Sequence, residues 1–157
     1  MDRIWNSNMD PGLKKRFFVA VVESILIYGC ESWAVNESME KSLNGSYTNM
    51  LRRVLNRHWS SHTTNKELYG KLPAVADKIA ARRLQLAGHC HRHPELSAHK
   101  ALLWEPRHGH RSRGRPRTTY VDTLKRDTGA ESISELSTLM EEREVWRNHV
   151  RSRRVAT

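Results

Sequence analysis

Four arginines at every second position form the segment with the clearest potential for chemistry. They are Arg111, Arg113, Arg115 and Arg117. Because Gly114 and Pro116 stand between them and interrupt helices, we expect an extended strip of chain here. In that geometry guanidinium groups can follow a phosphate backbone, or enter a narrow minor groove whose negative potential attracts arginine. The strip predicts contact with nucleic acid, against the alternative of a solvated basic loop without a ligand.

Residues 113–116 read Arg-Gly-Arg-Pro, which also matches the core of an AT-hook, a short module that lies along the minor groove of A/T-rich DNA. The whole chain is basic, since its 157 residues carry a net charge of +10. Residues 73–118 alone contain 10 basic and 3 acidic side chains. Positive charge concentrated in the middle of the chain is expected for a surface that meets a polyanion.

Metal binding and catalysis have little support in the residue pattern. His89 and His93 would share one face of a helix, but a zinc site needs about three or four ligands and no further residue has a recognised ligand spacing. The chain has no phosphate-binding loop, nucleophile elbow or zinc-protease motif. We therefore predict no catalytic residue, metal, cofactor or small-molecule substrate. Cys30 and Cys90 form no CxxC pair and are expected to be packing residues in a reduced intracellular setting.

Helical periodicity dominates the elements that must position these residues. Asp10 and Pro11 predict a helix start, and the helix should continue to about Val35. Its expected buried stripe is Leu13, Phe17, Val21, Ile25 and Tyr28. Asn36 begins a second predicted helix, antiparallel to the first. The expected buried stripe of this second helix is Met39, Leu43, Tyr47, Met50, Leu51, Val54 and Leu55.

A further helix is predicted between Pro73 and Pro94, with Arg82 and Arg83 crowding one of its faces. Residues 102–104, Leu-Leu-Trp, are expected to be strand-like or to anchor a loop. No periodicity is found in residues 105–118, and a long segment of that kind is usually functional or disordered.

Capping signals predict the remaining helix ends. Thr64 and Ser132 begin capping boxes, and a short helix should run from Thr119 to a glycine at position 129. After Ser132, a single apolar stripe is expected from Leu136 to Val150. We predict an all-α fold: a helical hairpin (1–60), a basic segment of short helices (61–104), a basic Arg/Gly/Pro loop (105–118) and a C-terminal helix pair (119–157).

No segment has the length of a membrane span. The best candidate, residues 17–28, is shorter than the ~18–20 apolar residues required and contains Glu23. No apolar stretch typical of a signal peptide follows the first residues. We therefore expect an intracellular protein, nuclear or cytoplasmic, without a membrane partner.

A series of phrases in the chain carries a family resemblance. In order they are ESILIYGCESW (23–33), YTNMLRRVLN (47–56), RRLQLAGHCHRH (82–93), LWEPRHGH (103–110), RGRPRTTYVD (113–122) and the pair Trp146-Arg147. Read together, they resemble the C-terminal portion of the reverse-transcriptase polyprotein of LINE-type (non-LTR) retrotransposons. The resemblance extends over essentially the whole chain.

The resemblance implies that residues up to about 60 are thumb-like helices that follow a polymerase palm, and that the remainder holds template RNA or target DNA. The family's catalytic Tyr-x-Asp-Asp-like motif and its endonuclease are not found in these residues. No catalytic residue is therefore carried over, and the chain is not expected to be a polymerase by itself. Arg82, Arg83 and the loop from Arg107 to Arg117 are carried over as nucleic-acid contacts. The sequence decides neither between RNA and DNA nor the oligomeric state.

Two other interpretations stay open at this point. One is a stand-alone AT-hook-like DNA-binding protein, which would prefer A/T-rich duplex DNA to RNA. The other is a helical protein-interaction module, which would use a large exposed apolar patch and bind its partner irrespective of salt.

Overall fold

The computed structural model describes residues 2–104 and 118–154, with only the backbone described for Asp2 and Trp59. No strand occurs in these two ranges, and the predicted all-α class is confirmed. The helices are α1 (Asp2–Trp5), α2 (Pro11–Phe17), a π-helical segment (Phe18–Glu23), α3 (Ser24–Leu26), α4 (Glu37–Val54), α5 (Asn65–Tyr69), α6 (Val75–His91), α7 (Ser97–Leu102), α8 (Tyr120–Thr128), α9 (Ile133–Glu141) and α10 (Arg143–Ser152). Short 3₁₀ turns lie at Cys30–Ser32 and Trp59–Ser61.

The first long helix begins as predicted but buries a different face. The Asp10 carboxylate accepts a hydrogen bond from the backbone N–H of Leu13 at 3.1 Å, and Pro11 opens α2. Leu13, Ile25 and Tyr28 of the expected stripe are nevertheless 48%, 72% and 85% exposed, so that stripe is wrong. The buried positions are instead Lys14, Phe18, Glu23 and Ile27. The step of five from Phe18 to Glu23 falls in the π-helical segment, whose wider turn moves the buried face around the helix.

The predicted antiparallel hairpin is present. Phe18 packs edge-on against Tyr47 of α4, with ring centroids 5.3 Å apart. Near the other end, the Asn56 side chain donates a hydrogen bond to the carbonyl of Trp5 at 3.2 Å. The Lys14 ammonium group of α2 donates to the same carbonyl at 2.6 Å, so the start of α2 lies beside the end of α4. Tyr47, Leu51 and Val54 are buried as predicted for α4, while Met39 is half exposed.

Helix α6 is shared by two hydrophobic cores. Val75 and Ile79, in its first half, belong to the core built on the hairpin, which also includes Leu68 of α5. Leu84 and Ala87, in its second half, belong to a second core. The second core is completed by side chains from α8, α9 and α10, among them Leu124, Leu136, Met140, Trp146 and Val150.

The C-terminal part contains three helices where a pair was predicted. The backbone breaks at Glu142 (φ −77°, ψ 90°), which divides the expected single helix into α9 and α10. Leu136, Met140, Trp146 and Val150 of the expected stripe are buried all the same. For residues 102–104 the strand-like alternative was wrong, because Leu102 is the last residue of α7, whereas Leu102 and Leu103 do pack against the second core.

Candidate nucleic-acid interface

Arg83, one of the predicted nucleic-acid contacts, is a core residue. Its side chain is 1% exposed, and Asp127 of α8 lies against its guanidinium group, with 3.0 Å between Nε and Oδ2. Its Nη1 donates a hydrogen bond to the carbonyl of Trp33 at 3.1 Å. The prediction that Arg83 contacts nucleic acid is therefore wrong, because its charge is enclosed and already paired within the fold.

Arg82 lies on the surface, with 43% of its side chain exposed. Its Nη1 is 3.3 Å from the carbonyl of Ile27 and 3.6 Å from a carboxylate oxygen of Glu31. This ion pair is loose and half exposed, so Arg82 keeps exposed N–H groups. The structure leaves Arg82 in a position where it can meet a ligand.

Five of the predicted contacts lie outside the described residues. They are Arg107, Arg111, Arg113, Arg115 and Arg117. Their roles stay predictions.

A basic groove between α6 and α10 was not predicted. It has a volume of about 450 Å³. Its lining residues are Gln85, His89, Arg92, Arg143, Trp146, Arg147, Val150, Arg151 and Arg154. None of these described lining residues is acidic, and five are arginines. We call this feature the arginine groove.

The close approach of the two helices forms the floor of the groove. The indole Nε1 of Trp146 donates a hydrogen bond to the carbonyl of Leu84 at 2.8 Å, inside the second core. Trp146 lies directly over Gly88, where a Cβ atom would overlap the indole ring. A glycine at position 88 thus allows α10 to lie against α6, and this contact brings arginines from two distant segments together.

Arginines of α10 line one wall of the arginine groove. Arg143, Arg147 and Arg151 are spaced by four residues, which places them on one side of the helix at intervals of about 6 Å. Arg147 pairs with Glu144 at 2.7 Å, an exposed pair. Arg143 and Arg151 are exposed and make no ion pair or hydrogen bond through their side chains with other described residues.

The remaining cations are held in place by neutral partners. Arg92 Nη1 donates to the carbonyl of Met140 at 2.9 Å, and Arg154 Nη2 donates to the Gln85 side chain at 2.7 Å. Burial lowers the pKa of Arg92, and the nearby charges of Arg143 and Arg147 lower it further. These cations repel one another and have neutral partners, so an anion in the groove would relieve an unfavourable electrostatic arrangement.

The exposed side of α6 connects the arginine groove to an apolar pocket. Gln85 and His89 line the groove and also a shallow surface that includes Glu31, Arg82 and Leu86. Leu86 in turn lines a pocket of about 380 Å³. The other residues of this pocket are Ser32, Cys90, Ala98, Ala101, Leu102, Trp104, Thr119, Tyr120 and Val121.

The Tyr120 hydroxyl group is held within the fold. Burial raises the pKa of Tyr120 to about 12, and its hydroxyl donates to the carbonyl of Glu31 at 3.0 Å.

The two histidines considered as metal ligands lie close together, although His93 follows the end of α6 at His91 and is not on a face of that helix. The His89 and His93 rings lie 4.4 Å apart, and His93 Nδ1 is 2.7 Å from a Glu95 carboxylate oxygen. Within residues 2–104 and 118–154, no group of three His, Cys, Asp or Glu side chains is placed to hold a metal ion.

The sequence does not predict the arginine groove, because Glu141, Glu142 and Glu144 stand beside the arginines of α10, and such a local pattern is typical of a solvated helix face with ion pairs. Of those expected pairs, only Arg147 with Glu144 is found among the described contacts. The spacing of Arg143, Arg147 and Arg151 was a visible signal for a basic stripe. What the spacing alone does not show is that this stripe lies beside Arg92, the residue that follows the end of α6.

No protein-family model, curated protein or solved structure matches this chain. Over the described part of the chain, none of the helices combines the length and the apolar character needed to cross a membrane.

Proposed function

We propose that this chain binds nucleic acid as a C-terminal portion of a LINE-type reverse transcriptase, downstream of the catalytic palm, and is not a polymerase by itself. Its partners would be RNA, DNA or both, in the nucleus or the cytoplasm. The family resemblance supports the origin, and the arginine groove supports the binding function. The single observation that carries the proposal is a groove lined by five arginines and by no acidic side chain among the described residues.

The groove would bind the sugar-phosphate backbone of a nucleic acid. Arg143, Arg147 and Arg151 recur at intervals of about 6 Å along α10, comparable with the separation of neighbouring phosphates along a strand. Arg92 would act as a fixed donor at the floor, because Met140 already orients its guanidinium group. Each phosphate that is neutralised releases condensed counterions, so binding should weaken as salt increases.

Removing two groove charges tests the proposal. Arg143→Gln combined with Arg151→Gln should leave the fold intact, because neither side chain has a partner among the described residues. The affinity for a 20-nucleotide DNA or RNA should fall, and the slope of log K against log salt should become shallower by roughly 1.4–1.8 units. Fluorescence anisotropy across a series of NaCl concentrations measures both quantities.

A matched control removes the same charge elsewhere. Arg16 and Arg57 are exposed and do not line the arginine groove. Arg16→Gln combined with Arg57→Gln should retain the parent's affinity and salt slope more closely than the groove variant does. Equal losses in the two variants would show that binding depends on net charge and not on the groove, and absence of binding by the parent chain would refute the proposal.

A second candidate function, a helical protein-interaction module, is favoured by one observation. Leu13 of α2, Ile25 of α3 and Tyr28 just after α3 are large apolar side chains with 48%, 72% and 85% exposure. Binding of a protein partner that persists at salt concentrations where nucleic acid dissociates would support this function. The AT-hook alternative depends on residues 113–116, which lie outside the described residues.

A further inference from the structure

The apolar pocket beside α6 is the part of this surface that phosphate binding does not use. Seven of its ten lining residues within the described ranges are Leu86, Cys90, Ala98, Ala101, Leu102, Trp104 and Val121, all apolar. Ser32 and Thr119 contribute hydroxyl groups, and Tyr120 contributes an aromatic ring. Its volume of about 380 Å³ lies within the range of small-ligand sites, ~300–1,000 Å³.

Trp104 is the most exposed of the tryptophans whose side chains the structure describes. Trp5 and Trp146 are 6% and 2% exposed and belong to the two cores, whereas Trp104 is 68% exposed. Leu86, in the same pocket, is also 39% exposed. Contiguous exposed apolar surface, unlike apolar side chains scattered singly, is typical of interaction sites and ligand-binding grooves.

The pocket and the arginine groove lie on adjoining sides of one helix. With about 100° between successive residues, the order around one side of α6 and its C-terminal cap is Arg92, Gln85, His89, Arg82, Leu86 and Cys90, over about 160°, with Cys90 buried at the end of this order. The first three residues in this order line the arginine groove and the last two line the pocket. Arg82 lies between the two, and its guanidinium group is half exposed and loosely paired with Glu31, which borders the same surface.

We infer that this pocket binds an unpaired nucleobase of a single-stranded nucleic acid whose phosphates lie in the arginine groove. Trp104 would supply a stacking surface for the flat face of the base. The Ser32 and Thr119 hydroxyl groups would form hydrogen bonds with the polar atoms at the edge of the base. In a duplex, both faces of every internal base are covered by its neighbours, so the pocket favours a single strand. This inference rests on the proposed nucleic-acid function.

The test compares two 12-nucleotide strands, oligo-dT and an abasic oligomer with the same sugar-phosphate backbone. The parent chain should bind oligo-dT more tightly by about 5- to 150-fold, the range expected for stacking of one base. Trp104→Ala should reduce the affinity for oligo-dT to that of the abasic strand and leave the abasic affinity unchanged. Tyr28→Ala, which removes an aromatic ring that is 85% exposed outside the pocket, should change neither affinity.

The outcomes separate this inference from the proposed function. If the parent binds both strands equally, or if Trp104→Ala weakens both equally, the base site is overturned while backbone binding stands. Loss of binding to both strands in the Arg143→Gln and Arg151→Gln variant supports the proposed placement of the phosphates. If the parent binds neither strand, the proposed function fails and the inference fails with it.

Discussion

At the scale of single residues, two neighbouring arginines lie in opposite environments. Arg82 and Arg83 follow one another in α6, yet one is on the surface and the other is buried. The sequence predicted the surface position of Arg82 because a basic helix normally turns its charges to solvent. It did not predict the burial of Arg83, because that depends on Asp127, which is 44 residues away and on another helix. Long-range charge pairing of this kind has no signature in a local pattern.

The Arg83 and Asp127 pair leads to a stability prediction. Asp127→Asn keeps the size of the side chain but leaves the buried guanidinium without a counter-charge, so we expect the free energy of unfolding to fall by about 3–5 kcal/mol. Urea denaturation measures the change. Glu144→Gln, which removes the partner of Arg147 in an exposed pair, should cost less than about 1 kcal/mol. Similar effects of the two substitutions would contradict a buried, paired Arg83.

A second residue-scale prediction concerns pH. Burial lowers the pKa of His91, and the nearby His99 lowers it further, while Glu141 acts in the opposite direction. Below the ordinary histidine pKa of about 6.5, the unfolded chain binds a proton that the folded chain still resists. The stability contribution of His91 is therefore complete above that pH and is lost as the pH falls through the lowered pKa.

We expect His91→Gln to reduce the loss of stability between about pH 7.5 and pH 5.5, because the substituted side chain does not titrate. Denaturation curves at the two pH values measure this difference. His62→Gln, at an exposed position, serves as the control and should leave the pH dependence close to that of the parent. An unchanged pH dependence in His91→Gln would show that this histidine is not the group responsible.

At the scale of helices, the residues at which helices begin were predictable from the sequence, and the buried face of each helix was harder to predict. The residues predicted to precede a helix all accept a backbone N–H at the expected place: Asp10, Asn36, Thr64, Thr119 and Ser132. Capping is local chemistry between residues two or three positions apart, so a sequence pattern contains it. The π-helical segment and the break at Glu142 change which residues face inward. Neither feature is indicated by a capping residue or by the periodicity of the apolar residues.

The contact between α6 and α10 makes an element-scale prediction. Gly88→Ala places a methyl group into the Trp146 indole, so the helices must separate, and we expect a loss of about 1–3 kcal/mol together with weaker binding in the arginine groove. Gly45→Ala in α4 is the matched control. Nothing lies within 4 Å of the added Cβ there, and alanine should stabilise that helix by roughly 0.5–1 kcal/mol. Denaturation midpoints that move together in the two variants would contradict this helix packing.

At the scale of the whole molecule, the class of fold and the basic character of its surface were predictable, but the place of the interface was not. The all-α class follows from periodicity, and the positive charge follows from composition. The arginine groove needs α10 to lie along α6, although more than fifty residues separate Gly88 from Arg143. Only the tertiary fold brings these two segments together.

The sharing of α6 between the two cores has a consequence for cooperativity. Val75 and Ile79 hold the first half of the helix in one core, and Leu84 and Ala87 hold the second half in the other. Because a helix forms and melts cooperatively along its length, neither core can melt without weakening the other. Heat should therefore unfold the chain in a single transition despite its two cores. A ligand in the arginine groove, which touches only the second core, should also raise the melting temperature of the hairpin at the far end of α6.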